Sequence, residues 1–380
     1  NNGFLFEKVG DAFCCAFEKA EDAVMAAVDA QIGLSNEKWE DAVIKVRIGI
    51  HSGAAEWNGK RYMGYITLAR GARVMSSGNG EQIIISGSTY ELCKDKFDAV
   101  KEINVSFRDL GERRMKDVIQ PIRLFQIMSP GLREDFPPLK TLDARPNNLP
   151  IQLTSFIGRE EVMQKLKKLI GETRLLTIIG SGGGGKTRLA MQIGADLIDE
   201  YANGVFIAEL ASYSDPAMVV QTILNSLKLK EETGKSQEET LTGYLKDKEV
   251  LLILDNCEHL INECAVKSEA LLSKCHKLNI IATSREALNC PGEQTFIIPP
   301  LTLPDTSVNN VPEQLTQYES VRLFIERALS VNPDFRVNND NAPALAGICS
   351  RLEGIPLAIE LAAARIKVMS LEKINERLND

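Results

Sequence analysis

The apolar residues in the second half of the chain form short continuous runs, and stretches with helical spacing separate these runs. Four runs have the length of a buried strand, and they span residues 175–179, 204–210, 250–254 and 278–283. Before the first run, Val162, Leu166 and Ile170 recur on one helical face. Buried strands that alternate with helices are typical of a parallel sheet covered by helices. The pattern predicts an α/β domain over residues 153–317.

From about Tyr318 the apolar spacing is helical only. Three groups of apolar residues recur at this spacing, and they are Val321, Phe324, Ile325 and Ala328, then Leu345, Ile348, Cys349 and Leu352, then Leu357, Leu361, Ala364 and Val368. The pattern predicts a helical lobe over residues 318–380, appended to the sheet.

The first half of the chain mixes short strand-like and helix-like segments. Ile44–Ile50 and Gln82–Ser86 are β-branched runs bounded by glycines, which favours strands. Between Glu18 and Gln31 the apolar residues recur at helical spacing. These segments predict an α+β domain over residues 1–128.

A proline-rich segment follows this domain. Five prolines fall within residues 129–152, and the segment has no apolar periodicity. Such a composition is typical of a linker, so we expect residues 129–152 to join two domains.

Composition excludes several classes of protein. The 380 residues suffice for two or three domains at roughly 150 residues each. The chain has 52 acidic and 44 basic side chains, a net charge of −8 without long single-sign blocks, so we expect no nucleic-acid partner within these residues. The longest apolar runs, such as Val250–Leu254, have about five residues against the roughly 20 that cross a bilayer. We therefore expect no membrane partner.

The cysteines predict a cytoplasmic location, and the chain start suggests a piece of a longer protein. Eight scattered cysteines suggest buried thiols in a reducing compartment rather than a disulfide framework. The chain begins Asn1-Asn2-Gly3, without Met or an apolar leader, and we interpret it as part of a longer protein.

The strongest motif follows the first apolar run of the second half. Residues 180–187 read Gly-Ser-Gly-Gly-Gly-Gly-Lys-Thr, which fits the P-loop pattern between a strand and a helix. Backbone amides of such a loop hold phosphate oxygens, Lys186 would reach the β and γ phosphates, and Thr187 would hold Mg²⁺. The predicted nucleotide-binding residues of this segment are Gly180, Gly182, Gly183, Gly185, Lys186, Thr187 and Arg188.

Two further strands end in residues suited to the same chemistry. Asp255 follows Leu251–Leu254 and is the second candidate ligand of Mg²⁺. Its neighbour is Asn256, where efficient ATPases often carry a second carboxylate, and Glu258 is the nearest replacement. We therefore expect slow ATP hydrolysis. Arg285 follows the strand at residues 278–283, where it can sense the γ-phosphate.

Residues 153–380 resemble the STAND class of signalling P-loop ATPases, of the NB-ARC type, found in bacterial transcriptional regulators. Five ordered motifs carry the resemblance: residues 156–160 (FIGRE), the P-loop, residues 254–260 (LDNCEHL), residues 283–286 (TSRE) and residues 354–358 (GIPLA). The resemblance implies that Gly158 and Arg159 lie against adenosine, that Arg285 acts as sensor 1 and that Pro356 closes over the base. It implies ATP or ADP with Mg²⁺ as cofactors. The family's winged-helix histidine would lie beyond residue 380.

Residues 3–128 resemble the latter part of a class III adenylate/guanylate cyclase domain, which has a ferredoxin-like fold. The resemblance rests on residues 6–13 (FEKVGDAF), 46–53 (VRIGIHSG), 62–64 (YMG), 69–73 (ARGAR) and 110–116 (LGERRMK). It implies that Asp11 is one of two metal-binding aspartates, the other lying before residue 1. It also implies that Arg73 stabilises charge in the transition state, and that Lys8 and Lys116 contact adenine and phosphate.

Two positions depart from the cyclase pattern. Ala69 stands where the family has the Asn that orients the ribose, and Arg61 stands where active enzymes read the base. Arg has no acceptor for the adenine amino group. We therefore expect a weak or inactive cyclase domain that senses or dimerises.

Three functions follow as hypotheses. The first is an ATP-binding signalling switch that self-associates when ADP is exchanged for ATP. The second is an adenylate cyclase that makes cyclic AMP and pyrophosphate under the control of the P-loop domain. The third is a transcription regulator whose DNA-binding head lies beyond residue 380.

Overall fold

A computed structural model describes residues 2–40, 42–57, 59, 62–63, 65–99, 104–115, 120–152, 154–230, 233–305 and 312–378. The chain divides into two compact units. The first contains residues 1–144 and 151–154, and the second contains residues 145–150 and 155–380. No helix among the described residues is long and apolar enough to span a bilayer.

The first unit is an α+β domain with a four-stranded sheet. Its elements are β1 (Phe4–Val9), β2 (Ala12–Ala16), α1 (Ala20–Asn36), β3 (Ile48–Ile50), β4 (Glu56–Trp57), β5 (Tyr62–Met63), α2 (Tyr65–Ser77), β6 (Ile83–Ser86), α3 (Gly87–Ala99), β7 (Ser106–Arg113) and β8 (Ile122–Met128). The sheet order is β3-β6-β8-β7, with β3 parallel to β6 and the other pairs antiparallel. β1 pairs with β2, and β4 with β5, as separate hairpins.

Helices cover both faces of this sheet. Successive side chains of a strand point to opposite faces, so β6 buries residues on both sides. Ile83 and Ile85 of β6 pack with residues of α1 and α3, such as Val24 and Phe97. Ile84 packs on the other face, in the cluster that contains Val74 of α2. The apolar run of β6 is therefore continuous because both of its faces are buried.

The second unit contains a five-stranded parallel sheet. Its elements before the helical lobe are α4 (Glu160–Glu172), β9 (Leu175–Ile179), α5 (Lys186–Asp196), β10 (Val205–Glu209), α6 (Met218–Ser226), α7 (Gln237–Leu245), β11 (Val250–Asp255), α8 (Ile261–Lys274), β12 (Leu278–Ser284) and β13 (Glu293–Ile297). The order is β10-β11-β12-β9-β13, and all neighbours are parallel. Parallel strands place all their carboxyl ends at one edge, so the segments after β9, β11 and β12 share that edge.

A helical lobe follows the sheet. Its helices are α9 (Pro312–Leu315), α10 (Glu319–Val331), α11 (Ala342–Arg351), α12 (Pro356–Ala363) and α13 (Leu371–Arg377). They enclose an apolar core of their own, with Phe324, Leu345 and Ile359 fully buried. The structure thus confirms the mixed α/β class and the helical lobe.

The proline-rich segment predicted as a linker is packed at both ends. Leu139 and Leu142 are buried, and the Lys140 amide donates to the carbonyl of Ser77 in the first unit. Further on, the Asn148 side chain accepts from the amide of Ile207 at 2.7 Å and donates to its carbonyl at 2.8 Å. Asn148 therefore satisfies the exposed edge of β10.

Two other expectations need correction. The predicted strand 44–50 forms only over Ile48–Ile50, because its partner ends at a turn where Glu81 has a φ of +75°. The eight thiols are free, but they are not all buried: Cys15 is exposed, and Cys14 and Cys290 are half-buried.

Candidate nucleotide-binding site

The loop between β9 and α5 has the backbone that phosphate binding requires. Gly183 has a φ of +73° and Gly185 a φ of +87°, in the left-handed region that glycine adopts without strain. Lys186, the first residue of α5, donates from Nζ to the carbonyls of Gly180 at 2.9 Å and Ser181 at 3.1 Å. The loop therefore curves around its own lysine at a helix N-terminus, a site suited to an anion.

Charged groups from neighbouring strands surround this ammonium. Burial lowers the pKa of Lys186, and the nearby Arg285 lowers it further, whereas the carboxylates of Glu258 and Asp255 raise it. These groups follow three different strands, β9, β11 and β12, and the parallel sheet brings them together.

Asp255 occupies the end of β11 and is buried. Its Oδ1 accepts a hydrogen bond of 2.6 Å from the hydroxyl of Thr283 on β12, and the same hydroxyl accepts from the Asn256 amide at 2.9 Å. Thr283 therefore fixes the orientation of the Asp255 carboxylate.

Arg285 lies just beyond β12, and its side chain is exposed. Its Nε is 3.3 Å from Oε1 of Glu258, whose side chain is only 10% exposed. The other oxygen of Glu258, Oε2, is buried without a hydrogen-bond partner. Because one partner is exposed, we expect the pair to contribute no more than about 1 kcal/mol.

Arg159, which precedes α4, is hydrogen-bonded to the phosphate loop. Its backbone has a φ of +66°, and its guanidinium donates to the carbonyls of Gly184 at 2.8 Å and Pro299 at 3.2 Å. Burial lowers the pKa of Arg159 to about 10, and Glu319 opposes this shift. Its Nε is buried without a partner.

Gly158 lets Glu319 of α10 approach the chain before α4. A Cβ at Gly158 would lie 2.8 Å from Cγ of Glu319. Oε1 of Glu319 accepts from the Arg159 amide, and Oε2 accepts from the Thr302 amide at 3.0 Å. Glu319 thereby ties the helical lobe to the segment that carries Arg159.

The start of α12 rests on the phosphate loop. The Leu357 amide donates to the Gly183 carbonyl at 3.3 Å. A Cβ at Gly185 would lie 3.7 Å from Cγ of Pro356. Pro356, Arg159 and Gly185 line one pocket together with Ser155, Phe156, Ile157, Arg188, Leu301, Leu323, Arg327 and Glu360.

A charged network closes one side of this pocket, and we name Arg188, Arg327 and Glu360 the lobe network. Glu360 of α12 lies 2.9 Å from Nε of Arg327 on α10 and 3.5 Å from NH1 of Arg188 on α5. Both arginines also donate to the carbonyl of Ser155, at 2.6 Å from Arg188 and 3.1 Å from Arg327. Arg327 pairs with Glu326 as well. The network joins the phosphate-loop helix to the lobe.

The candidate residues of the first unit lie on a hairpin and on helix α2. Asp11 lies in the turn between β1 and β2, after Gly10 with a φ of +60°, and it is exposed. Arg73 is half-buried on α2, one turn after Ala69. Arg61 and Lys116 lie outside the described residues. Lys8 lies over the ring of Phe13 at 4.8 Å.

Comparison with protein families identifies both parts of the chain. Residues 158–292 match the sequence profile of the NB-ARC domain, and residues 5–122 match that of the adenylate and guanylate cyclase catalytic domain. The family models thus find a cyclase-type domain in the first unit and an NB-ARC domain in the second. The recognition made from the sequence motifs is thus confirmed.

Two relatives of this chain come from Mycobacterium tuberculosis. An uncharacterized protein of Mycobacterium tuberculosis is 41% identical over 228 residues, which cover 60% of this chain and 55% of the relative. A protein of the same organism, provisionally named an HTH-type transcriptional regulator, is 39% identical over 215 residues, covering 57% of this chain and 23% of the relative. The chain therefore spans about half the length of the first of these relatives.

Solved structures similar to each part are also known. The STAND protein with a tetratricopeptide repeat sensor from Pyrococcus horikoshii is 16% identical, with 59% of this chain and 32% of that chain covered and a TM-score of 0.36. A monomeric adenylate cyclase from Trypanosoma brucei is 22% identical, with 36% and 75% covered and a TM-score of 0.31.

The NB-ARC domain, with its helical lobe, brings most of the predicted residues to one edge of the sheet. Gly180, Gly182, Gly183, Gly185, Lys186 and Thr187 form the loop and the start of α5, and Asp255, Arg285, Arg159, Gly158, Arg188 and Pro356 come from the surrounding segments. The donors fit a nucleotide with Mg²⁺: an ammonium and a glycine loop for phosphates, and a hydroxyl and a carboxylate, the oxygen ligands that Mg²⁺ prefers. The unpartnered Nε of Arg159 adds a buried donor beside the loop.

Sequence reasoning missed three residues of the NB-ARC domain and its lobe. Glu319, Arg327 and Glu360 belong to no motif, and they act on residues more than 100 positions away or on other helices. Arg327 is 7% exposed, which is unusual for an arginine, but this burial appears only in the folded structure and not in the sequence.

Proposed function

We propose that the protein is an ATP-binding signalling switch in which the NB-ARC domain binds and slowly hydrolyses the nucleotide. The carrying observation is that Lys186, Asp255 and Arg285 lie at one edge of the parallel sheet, after β9, at the end of β11 and after β12, and that the helical lobe is hydrogen-bonded to the phosphate loop at the same edge. A lobe that touches the phosphate loop is placed to respond to the phosphates that the loop holds.

Each side chain then has a role that its surroundings support. Lys186 and the loop amides bind the β and γ phosphates, and Thr187 and Asp255 hold Mg²⁺, which neutralises phosphate charge when bound. Thr283 keeps Asp255 oriented through the 2.6 Å hydrogen bond. Arg285 contacts the terminal phosphate, and its exposed, weakly paired guanidinium is free to reorient.

The base end of the nucleotide occupies the pocket between α4, α5 and the lobe. Arg159 and Gly158 lie against the nucleoside, Arg188 lies one residue beyond Thr187, and Pro356 covers the base. In the ADP state, the lobe network and the contact of Leu357 with Gly183 hold the lobe closed. Exchange to ATP moves Arg285 to the new phosphate and loosens the lobe, which exposes a surface for self-association.

Identification of the bound nucleotide tests this proposal most directly. The full chain is purified and denatured, and any released nucleotide is identified by chromatography; titration calorimetry then measures ATP and ADP binding with Mg²⁺. Lys186→Ala should weaken binding by about 10- to 100-fold, because a charged contact to the phosphates is lost. Lys168→Ala is the matched control, since Lys168 lies on the exposed face of α4. A protein that neither carries nor binds nucleotide would contradict the proposal.

The cyclase-type domain is proposed as a sensing or dimerisation module. Asp11 lies in an exposed turn, and Ala69 supplies no amide where the cyclase pattern has one. Sedimentation of the full chain with ADP and with ATP tests self-association. A monomer in both states would contradict it.

Cyclase activity is the second candidate, because residues 5–122 match the profile of a catalytic domain. Asp11 would then bind a metal ion, and Arg73 would stabilise the transition state. Cyclic AMP made by the full chain, and lost on Asp11→Ala but kept on Asp29→Ala of α1, would establish this activity.

The name of the HTH-type relative suggests a regulator of transcription as a third candidate, tested by DNA binding of the natural protein.

A further inference from the structure

Two carboxylates follow β11, and the structure gives them different surroundings. Asp255 is held by the hydroxyl of Thr283 through Oδ1. Glu258 pairs with Arg285 through Oε1, while its Oε2 is buried without a hydrogen-bond partner. A buried carboxylate oxygen without a donor is uncommon, and such groups persist mainly where function needs them.

The chain between the two carboxylates turns sharply. Asn256 has a φ of +66°, a left-handed conformation that Asn tolerates better than most residues. A single 3₁₀ turn at Cys257–His259 follows, and the buried Cys257 anchors it. This turn brings Glu258 back to Arg285 at the end of the neighbouring strand.

The position of Glu258 relative to Lys186 supports a role at the phosphates. Glu258 follows β11 and its partner Arg285 follows β12, which pairs with β9 next to the loop that carries Lys186. Lys186 is the group that meets the β and γ phosphates. Glu258 therefore lies at the edge of the sheet that carries the phosphate loop, although Asn256 occupies the position next to Asp255.

We propose that Glu258 orients the attacking water in ATP hydrolysis and that its ion pair with Arg285 restrains it until the terminal phosphate attracts Arg285. This inference rests on the proposed function. In the reaction, the water oxygen forms a bond to the γ-phosphorus while the bond from that phosphorus to the β–γ bridging oxygen breaks. The water proton passes to the Glu258 carboxylate and then to the phosphate product, and the electron pair of the broken bond stays on ADP.

The restraint explains how one side chain serves a slow enzyme. With ADP bound, Arg285 has no γ-phosphate to contact and stays paired with Glu258. With ATP bound, the same guanidinium has two competing anions, so Glu258 is released for only part of the time. The ATP state then lasts long enough to act as a signal.

Substitution of Glu258 tests the inference in the full chain. ATP and ADP affinities are measured by calorimetry with Mg²⁺, and hydrolysis is measured in a single turnover with γ-labelled ATP. Glu258→Gln should lower the hydrolysis rate by about 100-fold, while ATP affinity stays the same or rises because a negative charge near the phosphates is gone. Glu263→Gln is the matched control, because Glu263 is a half-buried, ion-paired glutamate five residues away on α8.

Glu258→Asp provides the second variant, because it keeps the charge and shortens the reach. It should restore part of the lost rate, which a purely structural role of Glu258 would not predict. Arg285→Ala should lower the affinity for ATP more than the affinity for ADP, since only ATP offers the γ-phosphate that Arg285 contacts.

The outcomes separate the two proposals. Failure of the unsubstituted chain to bind ATP contradicts the proposed function itself. Binding without hydrolysis above the buffer rate overturns the role of Glu258 together with the slow hydrolysis in the proposed function, whereas the proposed binding stands. Hydrolysis by Glu258→Gln at the unsubstituted rate overturns only the role of Glu258. A Glu258→Gln variant that loses rate and ATP affinity together, with no recovery in Glu258→Asp, also overturns it.

Discussion

The two units support their chemical side chains in different ways. In the NB-ARC domain, Lys186, Asp255 and Arg285 follow strands whose residues are almost fully buried, so each arrives from a rigid support. In the cyclase-type domain, Asp11 lies at the exposed end of a two-stranded hairpin that is separate from the four-stranded sheet. A matching motif is therefore not enough for a site, because a site also needs rigid elements that hold its residues together.

Substitutions in the two apolar cores test whether the two units unfold independently. Leu252 of β11 and Ile84 of β6 are both fully buried. Replacement of either by Ala should destabilise its own unit by about 2–5 kcal/mol, because apolar contacts are lost and a cavity remains. Scanning calorimetry of the full chain should show Leu252→Ala lowering one transition and Ile84→Ala lowering the other. A single transition lowered by both variants would show that the units unfold together.

A substitution in the lobe network tests how the helical lobe closes the NB-ARC site, and its expected effect is smaller. Glu360→Gln removes the carboxylate of the lobe network and leaves Arg327 beside Arg188. We expect release of a fluorescent ADP analogue to accelerate about tenfold, which corresponds to about 1.4 kcal/mol, because the closed lobe loses an ion pair that is partly exposed. Stopped-flow fluorescence measures the rate. Glu372→Gln, on the exposed face of α13, is the control, and an unchanged rate for Glu360→Gln would exclude the network as a restraint.

The smallest effect concerns pH in the cyclase-type domain. Burial, and then the positive charge of Arg70, lower the pKa of His51 below its usual value of about 6.5. The Nδ1 atom of His51 lies 2.9 Å from the Ser86 hydroxyl and 3.3 Å from that of Ser88. Because the unfolded chain binds the proton more tightly, this unit should lose stability as the pH falls below about 6.5.

Thermal unfolding at a series of pH values checks this expectation. His51→Gln should flatten the pH dependence of the cyclase-type transition, whereas His276→Gln, at an exposed position of the other unit, should leave it unchanged. A variant of His51 with the original pH dependence would assign the effect to another group.

The sequence predicted the core of the NB-ARC fold closely because its strands are continuous apolar runs. The run at residues 175–179 coincides with β9, and the fully buried run Val250–Leu254 lies within β11. β13 was missed because it is an edge strand: its residues, Glu293–Ile297, are mixed in polarity and none is fully buried. A strand at the edge of a sheet is less buried than a central strand, so its residues do not form a continuous apolar run.

The candidate site was predictable where chemistry requires a fixed spacing. Glycines and Lys186 must be close in sequence to form one loop, so the motif is visible. Arg327 and Glu360 are 33 residues apart and meet only because α10 packs on α12. No local spacing encodes such a pair, and its discovery required the packed helices.

The hydrogen bond from the Leu357 amide to the Gly183 carbonyl makes one backbone proton a reporter of the contact between the lobe and the phosphate loop. A hydrogen-bonded amide exchanges with deuterated water slowly, and it exchanges fast once the bond opens. Leu357 lies 174 positions from Gly183 along the chain, yet its deuterium uptake would follow the seating of the lobe on the loop without any label or substitution. Mass spectrometry of a single peptide around α12 would therefore follow the contact between the lobe and the phosphate loop in the unmodified protein.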